Sequence, residues 1–442
     1  MKFAPLKICV VVATIISISS RTFAREETAR FRGTDFRGAD FFPVLPWDPF
    51  HGWDGKATDS QTNGLETIAA CHFNFAGFVL PRDLDNCSRL GLGAIVFAGG
   101  ENGVPIKFQK QWKHLTDAQI EDRIQRMVKS AGSNAAIKGF FIMDEPSVRD
   151  FPALGKAVMA LRKFAPGEWA YINLYPDYAT LGARDTSQLG SSNYTEYLER
   201  FVTEVRPQVL SYDNYMVQFS DDLKNTRTAA SYFRNLAEVR RVGQKYHLPC
   251  LQITAANQLR SAHTIPTPAN LLLQAYTTLA AGFRGVTWYT YYSRGYSYGA
   301  IGSDGAKTIT WPYLQEVNRQ VAVLAPVLSR LVSTGIYFTA PIPAPGLPQL
   351  PGKMIETITS TSPMMIGEFE GDEGETFVML VNLSLDHSAN FKLTTRTSSE
   401  SVYEISAIDG DSRPFKSRKD DHWLAPGQGI LLQQGKPQPP RR

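Results

Sequence analysis

A repeated alternation between short apolar stretches and longer segments of helical spacing is the feature that most constrains the fold of this chain. It runs from about residue 41 to residue 331, and the apolar stretches have the length and composition of buried parallel strands. The eight stretches cover residues 42–45, 73–80, 92–98, 137–143, 169–174, 209–212, 249–253 and 285–289. Eight strand–helix units in succession predict an α/β fold, a (β/α)8 TIM barrel at 41–331.

A doubly wound α/β sheet is the alternative architecture. Such a sheet is expected to carry a glycine-rich phosphate-binding loop after its first strand. The first predicted strand leads instead into the segment PWDPFHGWD at 46–54, which is rich in aromatic and acidic residues. The sequence therefore favours the barrel.

The pattern changes after Leu331. A proline-rich passage at 340–348 is followed by short apolar runs at 376–382, 389–393 and 429–433, which are joined by polar turns. These runs predict a small antiparallel β-sandwich at 335–435. We interpret the proline-rich passage as the separator between the two domains, and the basic, proline-rich residues 436–442 as a disordered tail.

The first 24 residues have the features of a secretory signal peptide. Lys2 and Lys7 precede an apolar run at 8–16, and the segment TFA at 22–24 supplies a cleavage site, so we expect a secreted or periplasmic protein. Removal of this segment removes three basic residues and no acid, so the formal charge falls from +4 to +1. Neither nucleic acid nor a membrane is therefore an expected partner, and nothing in the sequence indicates an oligomeric state.

Three cysteines lie beyond the predicted signal peptide, at Cys71, Cys87 and Cys250. Their odd number and the absence of a CxxC pair argue against a zinc site and against a disulfide scaffold. The sequence predicts no cofactor and no metal. An oxidising compartment would permit a bridge between Cys71 and Cys87.

The segment GFFIMDEP at 139–146 indicates where the chemistry lies. Its apolar run stops at Asp144 and Glu145, and Pro146 cannot continue a strand ladder. The carboxyl ends of barrel strands face the active site, so Glu145 is predicted to be a catalytic carboxylate. The alternative is an acid that caps the following helix.

Other predicted strand ends carry aromatic residues, amides and carboxylates. This mixture suits sugars, because polar groups bind their hydroxyls while aromatic rings stack on their C–H faces. The predicted substrate-binding residues are Trp47, Asp48, Asp144, Asn173, Tyr175, Tyr212, Tyr215, Gln252, Trp288 and Tyr291. The predicted partner is accordingly a carbohydrate substrate.

These motifs, together with YINLYP at 171–176, SYDNY at 211–215 and APGQGILL at 425–432, resemble the TIM-barrel glycoside hydrolases. The resemblance is greatest to secreted enzymes related to clan A and to family 42 β-galactosidases. In clan A the fourth strand ends in Asn-Glu, where Glu is the acid/base and Asn holds the 2-hydroxyl of the sugar. The resemblance implies these roles for Glu145 and Asp144, although Asp stands where Asn is usual. The clan's nucleophilic Glu on the seventh strand has no counterpart in LQITAAN at 251–257.

The missing nucleophile leaves three hypotheses. In the first, Asp213 is the second catalytic carboxylate, as nucleophile or base, with Asp48 and Asp54 in reserve. In the second, Tyr212-Asp213 and Asp144-Glu145 act in a substrate-assisted N-acetylhexosaminidase-type mechanism. In the third, the protein binds glycans without cleaving them, and Gln252 marks a lost catalytic position. The tyrosine- and glycine-rich segment 289–309 is predicted to form a flexible wall that favours exo action on chain ends; the alternative is a loop packed on itself.

Overall fold

The structure is a computed structural model that describes residues 41–52, 64–97, 111–180, 188–219, 228–259, 264–396, 401–415 and 422–435. The predicted signal peptide, the predicted C-terminal tail and Asp54 lie outside these residues, so they stay predictions from the sequence.

Eight parallel strands, each followed by a helix, form the first domain. The strands are β1 Val44–Pro46, β2 Phe75–Val79, β3 Gly93–Val96, β4 Ile137–Asp144, β5 Trp169–Leu174, β6 Leu210–Asp213, β7 Cys250–Ala255 and β8 Val286–Tyr289. The helices are α1 Gly64–Ala70, α2 Leu84–Arg89, α3 Asp117–Ala131, α4 Phe151–Phe164, α5 Tyr194–Arg200, α6 Thr228–Lys245, α7 Pro268–Ala280 and α8 Thr310–Leu328. The predicted TIM-barrel class is confirmed.

The strands follow the order β1-β8-β7-β6-β5-β4-β3-β2 around the sheet. The circle is completed beyond the end of β1, where Pro49 and Phe78 form a parallel bridge and the Phe50 N–H donates to the Phe78 carbonyl at 2.8 Å. This contact closes the ring of strands, and the parallel arrangement brings the carboxyl ends of all eight strands to one side of the domain.

Local sequence signals set where several helices begin. At α3 the Thr116 hydroxyl accepts the Gln119 N–H while the Gln119 side chain returns to the Thr116 N–H, a reciprocal capping box. At α7 the Thr267 hydroxyl accepts the Asn270 N–H at 3.1 Å, and Pro268 occupies the first turn, where its missing N–H costs nothing. These caps set the first residues of α3 and α7.

Alternation along the strands divides the barrel core into two layers. One layer fills the barrel interior with large rings, which include Phe78, Phe141 and Trp169. The other lies between the strands and the surrounding helices. Each strand residue therefore faces either the interior or the helices, and its neighbour in sequence faces the opposite way.

Nine antiparallel strands form the second domain as two sheets, which confirms the predicted C-terminal β-sandwich class. The strands are β9 Val332–Phe338, β10 Ile355–Ser360, β11 Met364–Glu370, β12 Thr376–Asn382, β13 Ala389–Thr395, β14 Val402–Ile405, β15 Ser412–Pro414, β16 His422–Leu424 and β17 Gly429–Gln434. One sheet has the order β10-β13-β16 and the other β15-β14-β17-β12-β11-β9.

The interpretation of the proline-rich passage as a separator is corrected by the position of β9. This strand precedes the passage and pairs with β11, so the passage lies inside the second domain. The two domains meet directly along α7. Gly427 has a φ of 70°, and a Cβ there would collide with the Ala269 carbonyl, so glycine permits the close approach of the sandwich to this helix.

Three further observations concern the part of the chain that the structure describes. None of its helices is both long and apolar enough to cross a membrane. It contains no cluster of three or more His, Cys, Asp or Glu side chains arranged to hold a metal ion. Cys71, Cys87 and Cys250 are all buried free thiols, so the suggested bridge between Cys71 and Cys87 is not formed.

Candidate active site

The candidate active site lies where β4, β5 and β6 end. Asp144 is the last residue of β4 and is paired in register with Asn173 of β5, which in turn pairs with Ser211 of β6. A register shift between Phe141 and Met143 breaks the alternation of β4 near its end. The resulting bulge places Asp144 beside Asn173, and bulges of this kind often redirect a side chain near an active site.

One amide connects two carboxylates. The Asn173 Nδ2 atom donates to Asp144 Oδ1 at 3.1 Å and to Asp213 Oδ1 at 2.9 Å. The Asn173 Oδ1 atom accepts from the Ser211 hydroxyl at 3.2 Å, and that hydroxyl is also 3.0 Å from the Tyr171 hydroxyl. Ionised carboxylates only accept hydrogen bonds, so they determine that the amide nitrogen points toward them and the amide oxygen toward Ser211. Both carboxylates therefore lie within 3.1 Å of one nitrogen.

Glu145 follows directly in a strained backbone conformation. Its φ is 47°, in the left-handed region that a glutamate avoids at a cost of about 1 to 2 kcal/mol. The Glu145 N–H donates to the Asn173 carbonyl at 2.9 Å, which holds the chain in this turn between the end of β4 and Pro146. Strain of this kind is tolerated where it places a functional side chain, and the Glu145 side chain is only partly buried.

Burial and mutual repulsion shape the protonation of the cluster. The Asp213 side chain is 3% exposed, and this desolvation raises its pKa well above the usual range. The negative charges of Glu145 and Asp144 raise the Asp213 pKa further, whereas the hydrogen bond from Asn173 lowers it. The three carboxyl groups therefore act on one another, as carboxyl groups that share a catalytic site do.

Tyrosines surround the carboxyl groups. Burial, and then the charges of Glu145, Asp144 and Asp213, raise the pKa of Tyr175 to about 12. Tyr178 and Tyr215 have pKa values raised by burial first and by the Asp213 charge next. All three side chains thus remain neutral hydroxyl donors at physiological pH, close to the carboxylates.

An aromatic wall adjoins this cluster on the β8 side. The rings of Tyr215 and Tyr289 are stacked with centroids 5.4 Å apart, and Trp47 meets Tyr289 edge-on at 5.8 Å. The Tyr289 hydroxyl is 2.9 Å from the Tyr296 hydroxyl. Tyr289 is therefore shared between the barrel interior and the loop that follows β8.

The structure brings six of the predicted site residues together, namely Asp144, Glu145, Asn173, Tyr175, Asp213 and Tyr215. Two others adjoin the cluster from the β1 side. Trp47 is 4% exposed and packs on Phe78, so it forms a floor under the site. Asp48 is buried, and its Oδ2 atom accepts the Tyr292 N–H at 3.1 Å, which ties β1 to the loop after β8.

Four predicted substrate-binding residues lie elsewhere, and the prediction is corrected for each. Trp288 donates from Nε1 to Asn318 of α8 at 2.8 Å, and the Gln252 Oε1 atom accepts from Thr278 of α7 at 2.8 Å.

The other two are also packed outside the barrel. Tyr212 contacts Phe283, and Tyr291 accepts the Trp311 indole N–H at 3.0 Å. All four side chains are fully buried in the layer between the strands and the surrounding helices. Tyr212, Gln252 and Trp288 occupy strand positions whose side chains point away from the barrel interior, and Tyr291 follows the end of β8.

Sequence reasoning missed Tyr178, and it included Tyr289 and Tyr296 only as part of the predicted wall at 289–309, not among the individual binding residues. For Tyr289 a signal existed, since it follows Trp288 on the same strand and therefore faces the opposite side. The segment after β8, which was predicted to be a flexible wall, is a loop packed on itself. Ser293 N–H donates to the Ile301 carbonyl, and Ile301 N–H donates to the Tyr291 carbonyl, both at 2.8 Å.

Comparison with known proteins supports the fold. No family model matches the chain, and no curated protein matches it in sequence. A solved structure described as a glycoside hydrolase is 10% identical with a TM-score of 0.53, over 89% of this chain and 92% of that one. A GH27 β-L-arabinopyranosidase from Geobacillus stearothermophilus, in complex with arabinose, is 8% identical with a TM-score of 0.50, over 92% and 100%.

A GH5_18 protein from Streptomyces cattleya, in complex with GlcNAc, is 16% identical with a TM-score of 0.46, over 63% of this chain and 80% of that one. At such identities the first two likenesses show a shared fold, a (β/α)8 barrel with a further domain, and this fold is one on which glycoside hydrolases are built. Because one barrel fold hosts many chemistries, activity has to be argued from the site.

Proposed function

We propose that the protein is a secreted glycoside hydrolase that cleaves an O-glycosidic bond at the carboxyl face of its barrel. The observation that carries this proposal is the Asn173 amide, which is hydrogen bonded to carboxylates from β4 and β6 beside the strained Glu145. Most glycoside hydrolases use two carboxyl groups that flank the scissile bond. A purely structural role gives no reason to gather three mutually repelling acids in one site.

Glu145 is the proposed general acid/base. When protonated it donates its proton to the leaving glycosidic oxygen while the bond from that oxygen to the anomeric carbon breaks. Asp213 is the proposed second carboxylate, which either attacks the anomeric carbon or takes a proton from the attacking water. Because Asp213 must be ionised for either task, its raised pKa should move the acidic limb of the pH–rate profile to higher pH.

The surrounding residues suit the binding of a sugar ring. Tyr215 and Tyr289 offer stacked aromatic surface, while Tyr175 and Tyr178 supply neutral hydroxyl donors and Asp144 a carboxylate acceptor. We further propose exo action on oligosaccharide or polysaccharide ends, which the packed loop carrying Tyr296 supports because it stands against one side of the site. Analysis of early products tests this mode: single sugars are expected rather than a ladder of oligomers.

The central test is Glu145→Gln, which keeps the shape of the side chain but replaces the carboxyl group by an amide that cannot act as an acid. On a panel of aryl glycosides and natural oligosaccharides, it should lower turnover by a factor of about 10² to 10⁴. Asp213→Asn should be comparably impaired, and the double variant should lose little more, because both groups act in one step. Glu370→Gln, at an exposed acid in the sandwich, is the matched control and should retain full activity.

The panel also discriminates the alternatives. Cleavage restricted to 2-acetamido sugars would replace the proposal by the substrate-assisted mechanism. A parent protein that binds sugars and cleaves none would identify a glycan-binding protein. Proton NMR of the first-formed anomer assigns Asp213: retention indicates a nucleophile, and inversion indicates a base for water. Full activity of Glu145→Gln on natural glycosides would contradict the proposed role of Glu145.

A further inference from the structure

A large exposed aromatic side chain lies on the β-sandwich, away from the carboxylates. Trp423 of β16 is 60% exposed. Its strand neighbours face the other way, since Leu424 is buried in the sandwich core and His422 stacks on Phe415 with ring centroids 3.9 Å apart. The indole of Trp423 therefore contributes little to the core of its own domain, and it stands on the solvent side of a short edge strand.

Trp423 borders a hollow between the two domains. The hollow has a volume of about 740 Å³ and is also lined by Phe233 of α6, Pro341 and Pro343. A second hollow of about 620 Å³ is lined by Ile265 and by the first turn of α7. Asp386 lines both, so the two hollows adjoin, and we call them together the junction groove. Each is within the size range of ligand pockets.

The junction groove extends toward the catalytic side of the barrel. Its second hollow includes the start of α7, which follows the loop that leaves the carboxyl end of β7. The carboxyl end of β7 lies beside that of β6, where Asp213 is located. A chain bound in the groove would therefore run along the junction of the domains toward the side of the molecule that carries the carboxylates.

The walls of the groove are shaped before any ligand binds. The Ser384 hydroxyl accepts the N–H groups of Asp386 and His387, at 3.2 and 3.0 Å. The Asn382 side chain donates to the His387 carbonyl at 2.8 Å, which fastens this turn to β12. These bonds hold the backbone that carries Asp386 and His387 at the rim of the groove, and a preformed backbone lowers the entropic cost of binding.

The chemistry of the lining identifies the class of ligand. An exposed indole and proline rings offer flat apolar surface, while hydroxyls, one carboxylate and one imidazole surround it. Among the residues described in the structure, no lysine or arginine lines either hollow. A polyanionic ligand would meet the Asp386 carboxylate with no lysine or arginine to offset the repulsion, whereas a neutral sugar chain can stack its C–H faces and hydrogen bond at the rim.

We propose that the junction groove is a second carbohydrate-binding site, which holds a neutral oligosaccharide or polysaccharide chain on Trp423. The choice of carbohydrate rests on the proposed function, but binding at the groove does not require hydrolysis. The site would tether a polymeric substrate while its end is processed at the carboxylates. Tethering raises the effective concentration of chain ends at the active site.

The test is affinity electrophoresis of the full chain in gels that contain neutral soluble polysaccharides, namely glucans, mannans, xylans and galactans, with polygalacturonate as the acidic comparison. Glu145→Gln serves as the background so that the gel polymer is not degraded. Addition of Trp423→Ala should weaken retardation about tenfold on the neutral polymer that binds. Ile408→Ala, at a 69% exposed apolar residue of the same domain outside the groove, is the matched control and should change nothing.

A kinetic measurement separates this proposal from the proposed function. In the active protein, Trp423→Ala should lower kcat/KM on the polymer and leave hydrolysis of a small aryl glycoside unchanged. Retardation that depends on Trp423 in a protein that cleaves nothing supports the groove and refutes the hydrolase. Retardation on none of the neutral polymers, retardation that survives Trp423→Ala, or retardation only by the acidic polymer overturns the groove, whether or not hydrolysis is observed.

Discussion

The two ends of the barrel are built from the same strands and have opposite character. At the amino end the rings of Phe41 and Trp169 meet edge-on with centroids 5.7 Å apart, and Trp169 is 1% exposed. At the carboxyl end Asp144, Asn173 and Asp213 form a polar cluster. The comparison shows that one end supplies packing energy, whereas the other accepts strain and charge repulsion that reduce stability in exchange for chemistry.

The largest expected effect on stability comes from the amino end. Trp169→Ala removes a fully buried indole from the barrel interior and should lower the free energy of unfolding by about 3 to 5 kcal/mol. Urea denaturation measures this loss. Trp423→Ala, at an exposed tryptophan, is the control and should change stability by less than about 0.5 kcal/mol. Equal losses for the two variants would contradict the division between a packed end and an exposed surface.

The carboxyl groups at the carboxyl end of the barrel should make the stability of the protein depend on pH. The pKa of Asp213 is raised in the folded state, so the native protein binds a proton more tightly than the unfolded chain does. The contribution of the protonated Asp213 carboxyl group to the free energy of unfolding is complete at low pH, and it is lost as the pH rises through the pKa of Asp213 in the folded state. The melting temperature of Asp213→Asn should therefore rise relative to that of the parent protein as the pH increases.

The amino end provides the matched comparison through Glu168, just before β5. Burial raises the Glu168 pKa from 4.5 to about 7, and the positive charge of Lys138 lowers it in part. The stability of Glu168→Gln relative to the parent protein should therefore increase between pH 4.5 and about 7. Above about pH 7 the difference should stay constant. A melting temperature of Glu168→Gln that tracks the parent across this range would show that the site is better solvated than the structure indicates.

The smallest effect concerns the backbone at Glu145. Glu145→Gly removes the cost of a left-handed residue with a side chain, and it also removes one repelling charge, so it should stabilise the protein by about 1 kcal/mol while abolishing hydrolysis. Glu145→Gln removes the charge and retains the strained φ. A gain in melting temperature for glycine over glutamine isolates the strain, and identical values would mean that the turn costs nothing.

The barrel could be predicted from the sequence because each buried parallel strand is an apolar run with helical spacing on both sides. All eight predicted strands overlap the observed ones. The end of β4 was also predictable, since Asp144, Glu145 and Pro146 stop an apolar run. The same property limited the site prediction: a strand buried on both faces shows no polar–apolar alternation, so the sequence does not reveal which residues face inward.

Two strand ends illustrate this limit. In β6 the residues Tyr212 and Asp213 are adjacent, yet only Asp213 faces the site. In β8 the side chain that faces the site is Tyr289, whereas Trp288 packs on α8. In β4 the bulge changes the parity just before Asp144, and no residue type in FFIM signals it. Parity depends on the register between strands, which is a tertiary property.

The three buried thiols of the barrel can report when this domain opens. Burial raises the pKa of Cys87 and Cys250 to about 12, and that of Cys71 is also raised, so none forms the reactive thiolate in the folded state. No cysteine occurs after residue 250, which leaves the sandwich without a thiol. The rate at which a thiol reagent labels the three sites should therefore report the opening of the barrel.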